Sequence, residues 1–387
     1  MKVLAAGGGS GGHVTPVLAV INELAALDPG VETVFVCDKS FEPQARGLMQ
    51  HARVPVTVKR IMAGKLRRYH NQSFWQRITD FEAIVLNLRD ISRIVVGFFQ
   101  GIAIIIQFRP DVMFAKGGFV CLPLGIAAKI LGVPLVIHDS DTRPGLTNRI
   151  LARFAEVIAT GSPLDNYPYP ATRSHYTGVP IDTAFRPLTH EEQRDAKSDI
   201  GLIDTDAPLL VVTGGGLGAR SINLAILQSA EHILAAGIHI YHICGKMHYE
   251  SLVDHVPSHP HYHLVPFVYK DMHKVLGAAD IVVARGSATF LQEMAAMAKP
   301  VIVIPAAHLS DQVKNAQVYE KAKAVASLSD AQISQTTILG RTIVDLIASP
   351  DHMKTLSQNL HRFAKPQAAA DLARLIQMAA HNKRATS

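Results

Sequence analysis

Charge is scarce in this chain, and cysteine scarcer still. Only 18% of the 387 residues are charged, too few for a disordered chain or a nucleic-acid tail. No helix-turn-helix, zinc-finger or RNP pattern occurs, so nucleic acid is set aside as a partner. Cys37, Cys121 and Cys244 are the only cysteines; their scatter excludes a disulfide framework and CxxC pairs, and a reducing cytoplasm is the natural compartment. His255, His259, His261 and His263 lie close together but are spaced by prolines rather than as HxxxH, so no metal site is read there. Glycines interrupt the chain by residue 7, which leaves no room for the apolar core of a signal peptide. A bilayer span needs about 20 apolar residues. The most hydrophobic stretch, residues 94–108, is 15 residues long, is interrupted by Gln100 and is followed by Arg109-Pro110; a buried helix is expected. What the chain has in quantity is apolar residues, 48%, ample for two cores, and its length suits two domains. The net charge of +6 favours anionic partners generally.

Two glycine-rich turns punctuate this apolar background. Gly7-Gly8-Gly9-Ser10-Gly11-Gly12-His13 follows the strand-like residues 2–6, and Gly214-Gly215-Gly216-Leu217-Gly218-Ala219-Arg220 follows residues 208–213. Glycine permits positive φ and close approach of backbone to a ligand. A helix starting there offers free N–H groups and a positive dipole to an anion. Two such turns, heading halves of similar length, point to twin nucleotide-fold domains with a cleft between them.

Strand and helix patterns alternate nearly throughout, as a parallel sheet with crossover helices requires. Strands are predicted at 3–6, 32–37, 56–61, 112–115, 135–138 and 157–160, then at 209–213, 239–244, 263–266, 281–284 and 301–305. In open α/β sheets ligands bind beyond the carboxyl ends of strands. The chemistry is therefore sought in loops 6–13, 116–118, 138–145, 213–220, 285–288 and 305–312. A hinge is expected near Gly178-Val179-Pro180-Ile181-Asp182, and Pro366 is expected to divide the last two helices.

The motifs GGGSGGHVTP, AKGGFV (115–120), HDSDTRPGLTNR (138–149), GGGLGAR (214–220) and ARGSATFLQE (284–293) occur in the order found in the MurG family. The resemblance spans essentially the whole chain. It implies a GT-B fold, two Rossmann-like α/β domains with parallel sheets facing a central cleft. The implied divisions are an acceptor and membrane-facing domain at 1–181, a UDP-sugar donor domain at 182–363, and a C-terminal helix at 364–387 returning to the first domain. The implied activity is inverting transfer of N-acetylglucosamine from UDP-GlcNAc to lipid I, giving lipid II in peptidoglycan synthesis. No metal or cofactor is implied, because helix dipoles and backbone donors stabilise the leaving diphosphate.

The resemblance also assigns residues. Ser10, Gly11, Gly12, Lys116, Gly117, Gly118 and Asn148 would hold the acceptor's diphosphate region. His13 is the first choice for the base that takes the acceptor's proton, with Asp139 and Asp141 as rivals. The alternative makes His13 a helix-start residue that packs, and the two acids caps of the next helix. Gly215, Gly216, Arg220, Arg285, Ala288 and Thr289 would cradle the donor's diphosphate, Val268 would meet the uracil edge, Glu293 the ribose hydroxyls, and Gln312 the sugar.

Several positions depart from the family pattern. Asp139 and Asp141 replace Glu and Asn, Gly216-Leu217 replaces Ser-Gln, Phe290 stands where relatives often have Thr, and Val313 replaces a polar residue, with Asn315 as a possible substitute. Asp182 stands where many relatives carry an Arg toward the donor phosphates; Arg186, Arg220 and Arg285 are the available stand-ins. These departures leave open another UDP-sugar or lipid acceptor, and an inactive binding descendant. A lipid-linked acceptor implies a peripheral place on the cytoplasmic face of the cell membrane. Lys59, Arg60, Lys65, Arg67, Arg68 and Arg77, interleaved with Tyr69, Phe74 and Trp75, are read either as a docking surface for anionic membrane or as a solvated loop over a core helix.

Overall fold

The structure is a computed structural model describing residues 1–8, 11–64, 81–268, 270–334 and 337–386, with side chains for all but 11–13, 81–88 and 383–386. The chain divides into two compact units, Met1–Ile181 with Gln367–Ser387, and Asp182–Pro366.

In the first unit the strands are β1 (Lys2–Ala6), β2 (Glu32–Asp38), β3 (Val56–Ile61), β4 (Val112–Ala115), β5 (Leu135–Asp139), β6 (Val157–Thr160) and β7 (Ser174–Tyr176). Its helices are α1 (Gly11–Leu27), α2 (Glu42–Met49), α3 (Phe81–Phe108), α4 (Cys121–Ile130) and α5 (Leu146–Leu151), with α15 (Ala368–Thr386) from the end of the chain. All pairings are parallel, in the order β3-β2-β1-β4-β5-β6-β7. Parallel strands covered on both faces read as unbroken apolar runs, and KVLAA and VMFA do so. Val3 and Ala5 face one core with α1, α2 and α15, while Leu4 and Ala6 face the other with α3 and α4. In α15, Leu372, Ala373 and Ile376 are fully buried in the first of these cores. Leu372 and Ile376 each contribute about 1.5–3 kcal/mol by burial.

The second unit has β8 (Leu209–Thr213), β9 (His239–Ile243), β10 (Tyr262–Val265), β11 (Ile281–Ala284), β12 (Val301–Val303) and β13 (Ala326–Ser327). Its helices are α6 (His190–Asp199), α7 (Arg220–Ala235), α8 (Lys246–Leu252), α9 (Met272–Ala278), α10 (Ala288–Met297), α11 (Ser310–Lys321), α12 (Asp330–Ile333), α13 (Ile338–Ile347) and α14 (Pro350–His361). The order is β10-β9-β8-β11-β12-β13, again parallel. Leu209 and Val211 face one core and Leu210 and Val212 the other. The sequence patterns miss β7 and β13, which have three and two residues and no apolar run of their own.

Each sheet reverses its winding once. In the first the reversal lies between β1 and β4, in the second between β8 and β11. Such a switch point opens a crevice beyond the carboxyl ends of the two strands. Both glycine turns lie at these points.

The expectation of a buried helix at 94–108 is corrected. The α3 helix keeps Ile104 and Ile105 in the core, yet Phe99 is 63% exposed and Ile106 58%, with Ile91, Val95 and Val96 also exposed. Residues 89–108 are long and apolar enough to cross a membrane by length and composition. The length argument misled because a stretch too short to span a bilayer need not be buried: the helix is apolar all round, whereas its neighbours, chiefly α4, cover one face only. Gly97 and Gly101 set that face: an added Cβ at Gly97 would lie 1.9 Å from Met62 O, and at Gly101 3.1 Å from Leu124 Cδ1.

Candidate functional site

The first switch point is built by mutual packing of two glycine turns. Lys116 N–H donates to Ala6 O at 3.0 Å, drawing the loop after β4 onto the end of β1. Gly118 has φ +85°, and a Cβ there would lie 2.6 Å from Gly8 O. A Cβ on Gly8 would in turn lie 2.7 Å from Val120 Cγ2 and 2.9 Å from Asp38 Oδ1. Ser10 and the side chain of His13 lie outside the described residues; the backbone of Gly11, Gly12 and His13 opens α1.

Beneath this turn lies a buried polar network. Lys116 is 1% exposed, and its ammonium donates to Ser140 Oγ. Asp139 is 4% exposed and its Oδ2 accepts from Tyr169 OH at 2.8 Å. Burial pushes Asp139 up to about 7, against the hydrogen bond from Tyr169; Asp141 adds to the rise, while Asn148 and Lys116 oppose it. Burial pushes Lys116 down to about 8, against the attraction of Asp141 and Asp139. A carboxyl and an ammonium whose titrations converge near neutrality mark a site able to gain or lose a proton at working pH. Asn148 donates to His138 O at 3.0 Å, and its buried Oδ1 has no partner among the described residues. The Asp141 carbonyl accepts from Tyr167 OH at 2.7 Å. Of the residues predicted for the acceptor and for the base, the fold therefore gathers Lys116, Gly117, Gly118, Asn148, Asp139 and Asp141 about the carboxyl ends of β4 and β5.

At the second switch point the glycines divide by task. A Cβ on Gly214 would lie 2.1 Å from Ala219 N, and on Gly218 2.2 Å from Cys244 O; both are required by the fold. Nothing lies within 4 Å of a Cβ on Gly215 or Gly216, so that stretch of backbone faces open space. Gly215 has φ +80°, whereas Gly216 has neither positive φ nor a crowding neighbour and tolerates the Ser of relatives. Arg220 opens α7, is exposed, and makes no ion pair or hydrogen bond among the described residues.

The other two stand-in cations are engaged. Arg285 bonds Asp330 at 2.9 Å, Ser221 Oγ at 2.8 Å and Ile304 O at 2.9 Å. Arg186 pairs with Glu192 at 2.5 Å. Asp182 itself forms a local turn, its Oδ1 accepting from Ala184 N at 2.9 Å. Asn315, expected to compensate for apolar Val313, is 1% exposed and donates to Gly286 O at 3.3 Å, joining α11 to the loop after β11. Gln312 accepts from Ala306 N at 3.1 Å.

On α10, Ser287 caps the first turn by accepting from Phe290 N at 3.4 Å, and Ala288 and Thr289 are buried behind it. Glu293, one turn beyond Thr289, has no hydrogen bond or ion pair among the described residues, and burial alone pushes its carboxyl up to about 8. Val268 is half-buried against the core of the second unit.

Comparison with known proteins follows this geometry. Residues 3–160 match the glycosyltransferase family 28 N-terminal domain, and residues 209–372 its C-terminal domain. The UDP-N-acetylglucosamine--N-acetylmuramyl-(pentapeptide) pyrophosphoryl-undecaprenol N-acetylglucosamine transferase of Shouchella clausii is 35% identical over 87% of this chain and 88% of its own length. The protein of the same name from Clostridium kluyveri is 30% identical over 95% of each chain. The crystal structure of Acinetobacter baumannii MurG superposes with a TM-score of 0.67 at 20% identity, covering 97% of this chain and 99% of that one. The chain belongs to the MurG family. Its fold is the GT-B fold, and the resemblance carried by the five motifs is confirmed.

Membership in the MurG family gives the remaining side chains a frame. Sequence reasoning missed Tyr167 and Tyr169, which stack with ring centroids 5.6 Å apart; they lie in a proline-rich loop ahead of the expected hinge, and no local pattern links them to Asp139. It also missed Asp38, which ends β2 beside Gly8 and has one buried carboxylate oxygen without a partner among the described residues. An acid at the end of the second strand after a glycine turn is a readable signal. A third omission lies under the second glycine turn. His242 bonds Asn223 Oδ1 at 3.0 Å and Tyr262 OH at 2.8 Å, while Asn223 donates to Cys244 O at 2.9 Å. That carbonyl is the atom against which Gly218 packs. Burial pushes His242 down to about 4, keeping the ring neutral and able to donate on one side and accept on the other. Among the described residues no cluster of three His, Cys, Asp or Glu is placed to hold a metal.

Proposed function

We propose that this chain moves N-acetylglucosamine from UDP-GlcNAc to a lipid-linked muramoyl-peptide diphosphate, inverting the anomeric carbon. The observation that carries this reading is the 35% identity to a transferase of that name over 88% of its length. The acceptor hydroxyl attacks the sugar, a base takes its proton, and UDP leaves. His13 is the base of first choice, with Asp139, held up near 7, and Asp141 as rivals. Lys116, with Ser10, Gly11, Gly12, Gly117, Gly118 and Asn148, takes the acceptor's diphosphate region. In the second unit the open backbone of Gly215 and Gly216, the start of α10 at Ala288 and Thr289, and the unengaged guanidinium of Arg220 face the donor's diphosphate. Arg220 supplies the cation that Asp182 does not, which favours an active enzyme over a binding descendant. Arg285 shapes that site by holding Asp330 rather than as a free charge. Glu293 takes the ribose hydroxyls, Val268 the uracil edge and Gln312 the sugar.

The test is transfer from UDP-GlcNAc to lipid I, with calorimetry against UDP, UDP-glucose and UDP-GlcNAc. Transfer is expected, with His13→Ala lowering turnover by about 10²–10⁴. Near-native turnover of that variant at saturating acceptor removes His13 as the base. Absence of uridine nucleotide binding removes the enzyme reading altogether.

The same reading places the protein peripherally on the cytoplasmic face of the cell membrane. The exposed apolar face of α3, with Phe99 and Ile106, supplies an insertion surface. The basic and aromatic residues Lys65, Arg67, Arg68, Phe74 and Trp75 lie outside the described residues, and their sequence supplies the charge. Each cation near anionic lipid contributes about 1 kcal/mol. Vesicle sedimentation should therefore weaken on replacing Lys65, Arg67 and Arg68 with Glu, most at low salt, and on Phe99→Ser with Ile106→Ser at any salt. Unchanged sedimentation of both variants eliminates the docking.

A further inference from the structure

A cavity of about 360 Å³ opens on the first unit between α5 and the loop before β7. Three arginines line it, Arg149, Arg153 and Arg173, together with Tyr169, Ile150 and Pro168, and no acidic residue lines it. Arg173 is spent on structure, bonding the carbonyls of Ala152 and Ala155 at the end of α5. Arg149, on α5, and Arg153, four residues on in the turn that follows it, are exposed, and their guanidiniums make no ion pair or hydrogen bond among the described residues. Two neighbouring guanidiniums without a counter-charge repel one another and are satisfied by a planar anion, which they can bind bidentately.

The remaining wall fixes where this basic cavity sits. Tyr169 lines it, and the hydroxyl of the same ring donates to Asp139 Oδ2 at 2.8 Å. The cavity thus shares a wall with the Lys116–Asp139 network at the first switch point. A ligand that places its diphosphate there and carries a flexible, carboxylate-bearing arm can reach both. The relatives' acceptor, as their name states, bears a pentapeptide, and a pentapeptide ends in a carboxylate.

We propose that Arg149 and Arg153 bind a carboxylate of the acceptor's peptide, making this cavity a peptide subsite. The inference rests on the lipid-linked muramoyl peptide being the acceptor. The arm adds binding energy remote from the reacting hydroxyl, so its loss raises KM rather than lowering kcat.

The first test compares a lipid acceptor with a free peptide carboxylate and the same acceptor amidated at its peptide carboxylates. The wild-type KM is expected to be about tenfold lower for the free acid. The double variant Arg149→Gln, Arg153→Gln should use both acceptors with the same raised KM, with kcat and UDP affinity unchanged. Equal KM values for the two acceptors on the wild-type protein overturn the proposal, as does a variant that still prefers the acid. The second test needs no transfer. The guanidinium NMR signals of Arg149 and Arg153 in the full chain are followed on adding an N-acetylated pentapeptide acid, its amide, or inorganic phosphate. Shifts with the acid and not the amide, at concentrations where phosphate has no effect, support the subsite. Shifts no larger than those given by phosphate, or none, overturn it. Peptide-specific shifts in a protein that transfers nothing would leave the subsite standing and remove the function proposed for the chain.

Discussion

Replacing Lys116 with Met is expected to lower kcat/KM for the lipid acceptor by about 10²-fold and to make stability fall more steeply with pH. The first effect follows from the loss of one charge-assisted contact to a diphosphate in a dry site, worth about 1.5–3 kcal/mol. The second follows from what remains. Asp139 already sits near 7 through burial, and without the ammonium it rises further. A carboxyl whose folded pKa is raised contributes stability that is full below its unfolded value and is lost as pH rises through the folded value. In the wild-type chain that loss runs from about 4 to about 7, and in the variant it continues above 7. Lys116 runs oppositely: its folded value is lowered to about 8, so its contribution is full above its unfolded value and is lost as pH falls through about 8. The variant should therefore be least stable, relative to wild type, at pH 8 rather than pH 6. Thermal melts at the two values and acceptor kinetics check both parts. Ser140→Ala removes the hydroxyl that Lys116 donates to, leaves the charge, and should cost far less. A variant with native kcat/KM for the acceptor removes Lys116 from the acceptor site.

The paired architecture explains how much of this was legible in the sequence. Strands such as LLVVT and IVVA are buried on both faces, and that pattern is local, so their positions could be read within a residue or two. The glycine turns are local as well, since positive φ at Gly118, Gly215 and Gly218 demands one residue type. What could not be read depends on distant partners. Arg285 reads as a free cation in a phosphate loop until Asp330, 45 residues on, claims it. Asp139 reads as a shortened Glu until Tyr169, 30 residues on, donates to it. Nor does local composition tell which side of an apolar helix its neighbours will cover, which is why the outer face of α3 was misjudged.

The two switch points are chemically unlike despite the common design. The first is lined by an ammonium and by one buried carboxyl, Asp139, held close to neutrality, and suits a proton transfer beside an anion. The second has uncrowded backbone at Gly215 and Gly216, a helix start and one unengaged guanidinium, and suits a leaving diphosphate. The proposed assignment of acceptor chemistry to the first unit and donor binding to the second rests on these differences rather than on the sheets themselves.

Replacing Glu293 with Ala is expected to weaken UDP-GlcNAc binding by about 10²-fold, and the wild-type affinity itself is expected to rise with pH. In the free protein Glu293 has no partner among the described residues and burial alone holds its carboxyl near 8, so it is mostly protonated at pH 7. Ribose hydroxyls donating to it favour the ionised form, each such bond being worth about 1.5–3 kcal/mol. Binding must then expel a proton. Below pH 8 that proton has to be removed first, so affinity climbs toward pH 8, by up to about tenfold per unit, and levels off above it. Both phosphates of a UDP-sugar are esterified and do not titrate in this window, so the slope reports the protein. Calorimetry at pH 6, 7 and 8 in buffers of different ionisation enthalpy measures affinity and proton release together. Glu293→Gln keeps an acceptor oxygen and the shape, loses the titration, and should bind with little pH dependence. A wild-type affinity that is flat from pH 6 to 8, with no proton released at pH 7, would show that Glu293 does not grip the donor's ribose.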